Sequence, residues 1–146
     1  MVRRVALPED ARATSAVIRA LEAADVVLIA PSNPFVSIDP ILNVYPIRAL
    51  IEDVPRAVVA VSPIIAGQAL KGPAAKMMAE LGLEPSAAAV AGTYGHLIDG
   101  FVYDQQDAGM AAEDGLALLC TDTIMSGAGE RERLAREVLA FADELM

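Results

Sequence analysis

Three short apolar runs in this chain of 146 residues each end in small polar side chains. The first, Val26 to Ala30, breaks into Pro31-Ser32-Asn33-Pro34, with Ser37 just beyond. The second, Arg56 to Ser62, closes on a serine, and the third, Leu116 to Cys120, runs into Thr121-Asp122-Thr123. In open parallel α/β sheets, ligands bind outside the carboxyl ends of the strands. Three polar strand ends would therefore converge on one site. For any one loop an ordinary cap or turn is the better reading, but the three together favour a site. Pro31 and Pro34 fix φ and remove backbone donors, which makes the first loop a rigid polar cup.

The cations sharpen this reading. The chain has two lysines, Lys71 and Lys76, and both flank the start of one helix. Gly72-Pro73 puts proline at the first helical position. A helix N-terminus carries partial positive charge and free N–H groups, an arrangement that favours phosphate. Phosphate binding is thus preferred to a solvated lysine pair. Asp122 could hold a divalent cation or orient a hydroxyl, and serves equally as a cap or turn former. His96 has no partner motif and is assigned no catalytic role. The sequence contains no Cys/His metal spacing and no apparent Ser-His-Asp set, and its glycines match neither GxGxxG nor a P-loop. Asp107, Glu113 and Asp114 read as solvated loop charges. No catalytic residue and no metal ligand is assigned.

The elements that must position these residues follow from periodicity. A helix is expected from Pro8 to Ala24, with Pro8, Glu9 and Asp10 at its start and Val17, Ile18 and Leu21 at helical spacing. Asp25 to Ala30 reads as a buried strand, followed by a loop and a short helix around Ile47 to Glu52. Arg56 to Ser62 is a second strand, Gly67 to Pro73 a loop, and Pro73 to Leu81 a helix ended by Gly82. Ser86 to Ala91 is helical, Thr93 to His96 a turn, and Phe101 to Tyr103 a short, weak strand after the Asp99-Gly100 turn. Leu116 to Cys120 is a third strong strand and Glu130 to Met146 the last helix, with Leu134, Val138 and Phe141 on one face. Apolar strands alternating with helices predict an α/β, three-layer domain with a mostly parallel sheet covered on both faces. Three strong strands are few for such a domain, so an unpaired sheet edge is expected.

Composition sets the outer bounds. At 55% hydrophobic and 21% charged residues the chain suits a single packed domain rather than a disordered one. Its apolar runs are too short for a membrane span, and Met1-Val2-Arg3-Arg4 is not followed by the apolar stretch of a signal peptide. A net charge of −9 argues against a broad nucleic-acid or anionic-membrane surface, though not against one small anion site. The lone Cys120 excludes an internal disulfide and fits a reducing, cytoplasmic setting.

The stretch from Ala24 to Leu42, with its PSNPFVSI centre, resembles the signature of the 2-phospho-L-lactate transferase (CofD/FbiA) family. Ala60-Val61-Ser62-Pro63-Ile64-Ile65, Lys71 to Met78, Leu97 to Val102 and Thr121-Asp122-Thr123-Ile124-Met125 follow in the family's order. The resemblance covers nearly the whole chain and corresponds to the C-terminal half of the family fold, which implies an incomplete Rossmann-like sheet. It implies a transferase of coenzyme F(420) biosynthesis that moves a phospholactyl-type group from a guanosine diphosphate conjugate to the deazaflavin Fo, releasing GMP and using magnesium. Ser32, Asn33, Pro34 and Ser37 would cradle the diphosphate or nucleoside, Lys71 and Lys76 would face phosphate, and Ser62, Asp122 and Thr123 would line the same cleft. Asp39 stands where the family usually has glycine, and Gln68 where it usually has lysine. The implied assembly is a homo-oligomer or a complex with the missing N-terminal half. The alternatives are a nucleotide-sugar-binding regulatory module without transfer activity, and a remnant that persists by oligomerising.

Overall fold

A computed structural model describes residues 8, 10–53, 55–70, 72–111 and 114–146. The apolar runs form a four-stranded parallel sheet of β1 (Val26–Ile29), β2 (Ala57–Val61), β5 (Gly100–Asp104) and β6 (Ala117–Thr121), in that spatial order. Val26 pairs with Ala57, Val59 with Gly100, and Gly100 with Ala117. Between β2 and β5 lies a two-residue antiparallel hairpin, β3 (Ile64–Ile65) and β4 (Gln68–Ala69). The strand that looked weakest in sequence, around Phe101, is central, and all five of its residues are buried.

Alternation along the strands builds two cores. One face of the sheet presents Ile29, Val58, Ala60, Phe101 and Tyr103 to a layer that includes α3 (Ile47–Asp53), α4 (Ala74–Glu80) and α5 (Ala87–Tyr94). The other presents Ala57, Val59, Val61 and Val102 to α6 (Ala128–Asp143), whose Leu134, Val138 and Ala142 are buried. Each large aliphatic side chain so covered contributes about 1.5–3 kcal/mol. The expected three-layer, Rossmann-like α/β arrangement is thus present. α6 approaches closely because Gly100 lacks a side chain: a Cβ there would lie 2.7 Å from both Phe141 Cε1 and Leu145 Cδ1. The cover is uneven. Leu28, on the α6 side of the edge strand β1, is 43% exposed.

Several boundaries differ from expectation. The first helix, α1 (Ser15–Glu22), starts well after Pro8, because Thr14 rather than Pro8 caps it, accepting a bond from Val17 N–H; Glu9 lies outside the described residues. The preceding segment is held extended instead, with Ala13 N–H donating to Tyr45 O at 2.8 Å. Ala87–Tyr94 is longer than the expected helix, and its start at Ser86 is a side-chain cap on Ala89 N–H. Pro73 occupies the cap of α4 rather than its first helical position. The expected loop after Ala69 begins later than Gly67, since Gln68 and Ala69 pair in the hairpin. None of the described helices is long and apolar enough to cross a membrane.

The loop after β1 is the largest difference. It is helical, as a five-residue π turn, Pro34–Ile38, followed by a short helix, α2 (Asp39–Leu42). Asn33 causes this. Its Oδ1 accepts from Phe35 N–H at 2.9 Å and Val36 N–H at 3.3 Å. Its carbonyl accepts from both Ser37 N–H and Ile38 N–H at 3.1 Å. Pro34 has no N–H to satisfy, so every donor of the opening turn is used. Single π turns of this kind are frequent at functional sites.

Candidate functional site

The carboxyl ends of β1, β2 and β6 open onto a cleft of about 410 Å³. Ser32, Asn33, Val36 and Ser37 line it from the β1 side, Ser62 and Pro63 from β2, Gly72, Pro73 and Ala74 from the start of α4, and Thr123 and Met125 from the segment after β6. Five of the nine residues singled out in the sequence (Ser32, Asn33, Ser37, Ser62 and Thr123) therefore meet on one surface.

The other four are placed differently. Pro34 is buried as the first residue of the π turn and borders a separate hollow with Arg48 and Tyr94. Lys76 is exposed on α4 and is not among the cleft-lining residues. Lys71 lies outside the described residues. Asp122 sits next to the cleft but faces α6. Its carboxylate lies 3.6 Å from the Arg133 guanidinium and accepts from Ile124 N–H at 3.0 Å, while its carbonyl accepts from Arg133 at 2.6 Å.

The polar groups of the cleft divide by what their protons already do. Ser62 is 2% exposed. Its hydroxyl donates to Ile64 O at 2.9 Å and accepts from Ile64 N–H at 3.1 Å, which closes its own turn. Asn33 is spent on the π turn, and its amide nitrogen lies 3.4 Å from Met77 Sδ. Thr123 gives both its N–H, at 2.8 Å, and its hydroxyl, at 3.0 Å, to one oxygen of Asp104. Among the described residues the hydroxyls of Ser32 and Ser37 have no intramolecular partner.

Four residues at or near the site carry more than the sequence suggested. Asp104 ends β5, is fully buried, and also accepts from Gln106 N–H at 2.9 Å. Burial alone would raise its pKa, but the bonds from Gln106 and Thr123 outweigh that and hold the carboxylate below its usual range. Arg133 and Glu137, one turn apart on α6, clamp the segment that bears Thr123: Arg133 holds Asp122, and the Thr121 hydroxyl donates to Glu137. That hydroxyl bond, with Arg133, keeps the Glu137 carboxyl below its ordinary range despite partial burial. Asp107, expected to be an idle loop charge, accepts from Ala66 N–H at 3.0 Å and fixes the tip of the hairpin. The available signals were an aspartate directly after an apolar run and an Arg/Glu pair at helical spacing.

Asp39 is offset by Arg48 at 3.5 Å, and both residues border the separate hollow. Among the described residues no set of three or more His, Cys, Asp or Glu side chains could hold a metal ion. Among the described residues no carboxylate lines the cleft, and Asp104 and Asp122 are both committed to internal partners.

Against known proteins, the sequence profile described as "2-phospho-L-lactate transferase CofD" matches residues 1–124. A 2-phospho-L-lactate transferase of Methanopyrus kandleri is 42% identical over 126 residues, which span 84% of this chain and 40% of that protein. A phosphoenolpyruvate transferase of Streptomyces coelicolor is 40% identical over 141 residues, 94% of this chain and 44% of that one. The chain thus spans less than half the length of these relatives. A crystal structure of a Bacillus halodurans protein superposes with a TM-score of 0.58 at 14% identity, covering 90% of this chain and 48% of the other. At that identity the likeness concerns the fold alone.

Proposed function

Since the chain belongs to the 2-phospho-L-lactate transferase CofD family, we propose that it supplies the nucleotide-phosphate wall of a phospholactyl-type transferase of coenzyme F(420) biosynthesis. The donor is a guanosine diphosphate conjugate, the acceptor is the hydroxyl of the deazaflavin Fo, and the setting is the cytoplasm. The observation that carries this reading is the cleft itself. Ser32, Ser37, Ser62 and Thr123 come from three separate strand ends, meet on one surface, and fall inside the segment that matches the family.

The reaction needs little covalent help from the protein. The acceptor oxygen forms a bond to the phosphorus bearing the organic ester. The P–O bond to the guanosine phosphate breaks, GMP leaves with the bridging oxygen, and the hydroxyl proton passes to water. Catalysis of such transfers is mainly positioning and charge neutralisation. Among the described residues the Ser32 and Ser37 hydroxyls have no partner and are donors able to meet phosphate oxygens, and the π turn, its own N–H groups satisfied, fixes Ser37 in place. The clamp of Arg133 and Glu137 holds the opposite lip. Magnesium, which the family resemblance implies, does not fit the described residues, because no three His, Cys, Asp or Glu side chains among them converge and the two aspartates nearest the cleft, Asp104 and Asp122, are held by internal partners. No step is routed through it.

The remainder of a family-length domain is the proposed partner. The strands are added in one direction, from β1 to β6, without reversal. In doubly wound sheets the ligand crevice lies where strand order reverses, so the partner's strands would be added along β1, whose outer edge is unpaired among the described residues, next to Ser32 and Asn33. A second reading, a nucleotide-sugar-binding module without transfer, draws support from the fact that no described residue lining the cleft is a carboxylate.

Calorimetry with guanosine diphosphate and a panel of uridine nucleotide sugars, each with magnesium, separates the two readings. Guanosine diphosphate is expected to bind, and Fo to be converted with GMP release once the unmatched portion of the M. kandleri enzyme is added. Uridine-selective binding without turnover would favour the module. No nucleotide binding, together with no GMP release in the mixture, would sink the transferase reading.

A further inference from the structure

Four hydroxyls line the cleft, and they are not equivalent. Among the described residues the hydroxyls of Ser32 and Ser37 have no partner, so their protons are available to a ligand. Ser62 has given its proton to Ile64 O. Thr123 has given both of its donors to Asp104, a carboxylate that is fully buried and, among the described residues, reached by no cation. With its donors consumed, Thr123 can offer a ligand only hydroxyl lone pairs, its carbonyl and its methyl group. Behind those lone pairs stands an uncompensated negative charge, and at such short range in a poorly hydrated interior it is weakly screened.

Resting on the cleft reading above, we propose that Asp104 is a specificity-determining residue acting through Thr123. It makes the β6 side of the cleft an acceptor surface, which takes a hydroxyl or amino donor of the substrate and turns phosphate away. The two sides then impose a direction on any elongated ligand. Its anionic part lies against Ser32 and Ser37, and a donor-bearing part, such as a ribose hydroxyl or a base amino group, lies against Thr123. Asp104 touches no ligand and is a positioning residue. This also revises the role that the family resemblance suggested for Thr123, as part of one uniform phosphate cradle.

Titration calorimetry of the full chain with inorganic pyrophosphate and with guanosine diphosphate tests the assignment. Thr123→Val removes the acceptor and is expected to weaken guanosine diphosphate by about three- to tenfold, the worth of one neutral hydrogen bond, and to leave pyrophosphate unchanged. Thr123→Ser keeps the hydroxyl and is expected to restore wild-type binding of both. Asp104→Asn, which must turn a donor toward Thr123 or Gln106, is expected to lower the preference for guanosine diphosphate over pyrophosphate. The double change Ser32→Ala with Ser37→Ala is expected to weaken both ligands in parallel. Thermal melts of each variant establish that it is folded, and Asp104→Asn with Thr123→Ser carries the test if Thr123→Val fails to fold. Thr123→Val or Asp104→Asn weakening pyrophosphate as much as guanosine diphosphate, or changing neither, overturns the proposal, as does a folded Thr123→Ser that loses guanosine diphosphate binding. If the folded wild-type chain binds neither ligand, the cleft reading itself falls and takes this assignment with it.

Discussion

At the scale of single residues, the site is organised by where protons go. The lining residues Ser32, Asn33, Ser37, Ser62 and Thr123 are legible in the sequence because each follows an apolar run that must end at the rim of a sheet. Their hydrogen-bonding roles are not. Asn33 and Ser62 bond backbone groups two residues onward, a local habit of short polar side chains. Thr123 depends on Asp104, 19 residues earlier, a pairing that exists only once β5 and β6 lie side by side. Asp104 also ties the site to stability. Its folded pKa lies below the ordinary 3.8, so it binds its proton less readily in the folded chain than in the unfolded one. The stability it contributes is fully present above the unfolded value and is lost as pH falls through the folded one. Replacing the carboxylate leaves buried donors facing a donor, at a cost of about 1–3 kcal/mol. Asp104→Asn should therefore melt below wild type at pH 7, and the gap should close as pH falls below 3.8. A gap that stays constant or widens would mean that Asp104 is not the ionised acceptor described here.

At the scale of elements, the strong strands were readable because a parallel strand covered on both faces needs an unbroken run of apolar residues. Two local features were hidden. The π turn depends on one asparagine using both its side-chain and main-chain oxygens. The hairpin has two residues per strand, and its tip holds Ala66 at φ 48° and Gly67 at φ 73°, steadied from a distance by Asp107. Neither has a periodicity to detect. Gly100 shows the reverse case. Its place beside Asp99 suggested a turn, but it lies within the central strand because α6 packs on the space its missing side chain leaves. Gly100→Ala should push Phe141 and Leu145 away from the sheet and cost about 1–3 kcal/mol, as overpacking usually does. In a domain of this size each kcal/mol lowers the melting temperature by roughly 2–4 °C, which calorimetry or circular dichroism resolves. An unchanged melting temperature would show that the last turn of α6 yields freely and that this contact does not set its position.

At the scale of the whole molecule, the two edges of the sheet have different characters. β6 is tied to α6 through Thr121, Asp122, Arg133 and Glu137. Among the described residues β1 has an unpaired edge and, on the face that α6 covers elsewhere, an exposed Leu28. The matched relatives carry more than half of their length outside the region shared with this chain. A strand laid along β1 with its own covering helix would bury Leu28, complete the layer α6 leaves short, and close the cleft on the side where Ser32 and Asn33 stand. If that is the seam of the active assembly, a charge there should be harmless to this chain and damaging to the pair. Leu28→Lys is expected to shift the melting temperature of the isolated chain by no more than about 1–2 °C, as exposed substitutions do. It should also prevent co-elution with the unmatched portion of a relative and abolish the GMP release that the mixture supports. Retained assembly and turnover would place the seam elsewhere. A substitution that instead dissolves a self-associated wild-type species in light scattering would assign the β1 edge to a second copy of this chain.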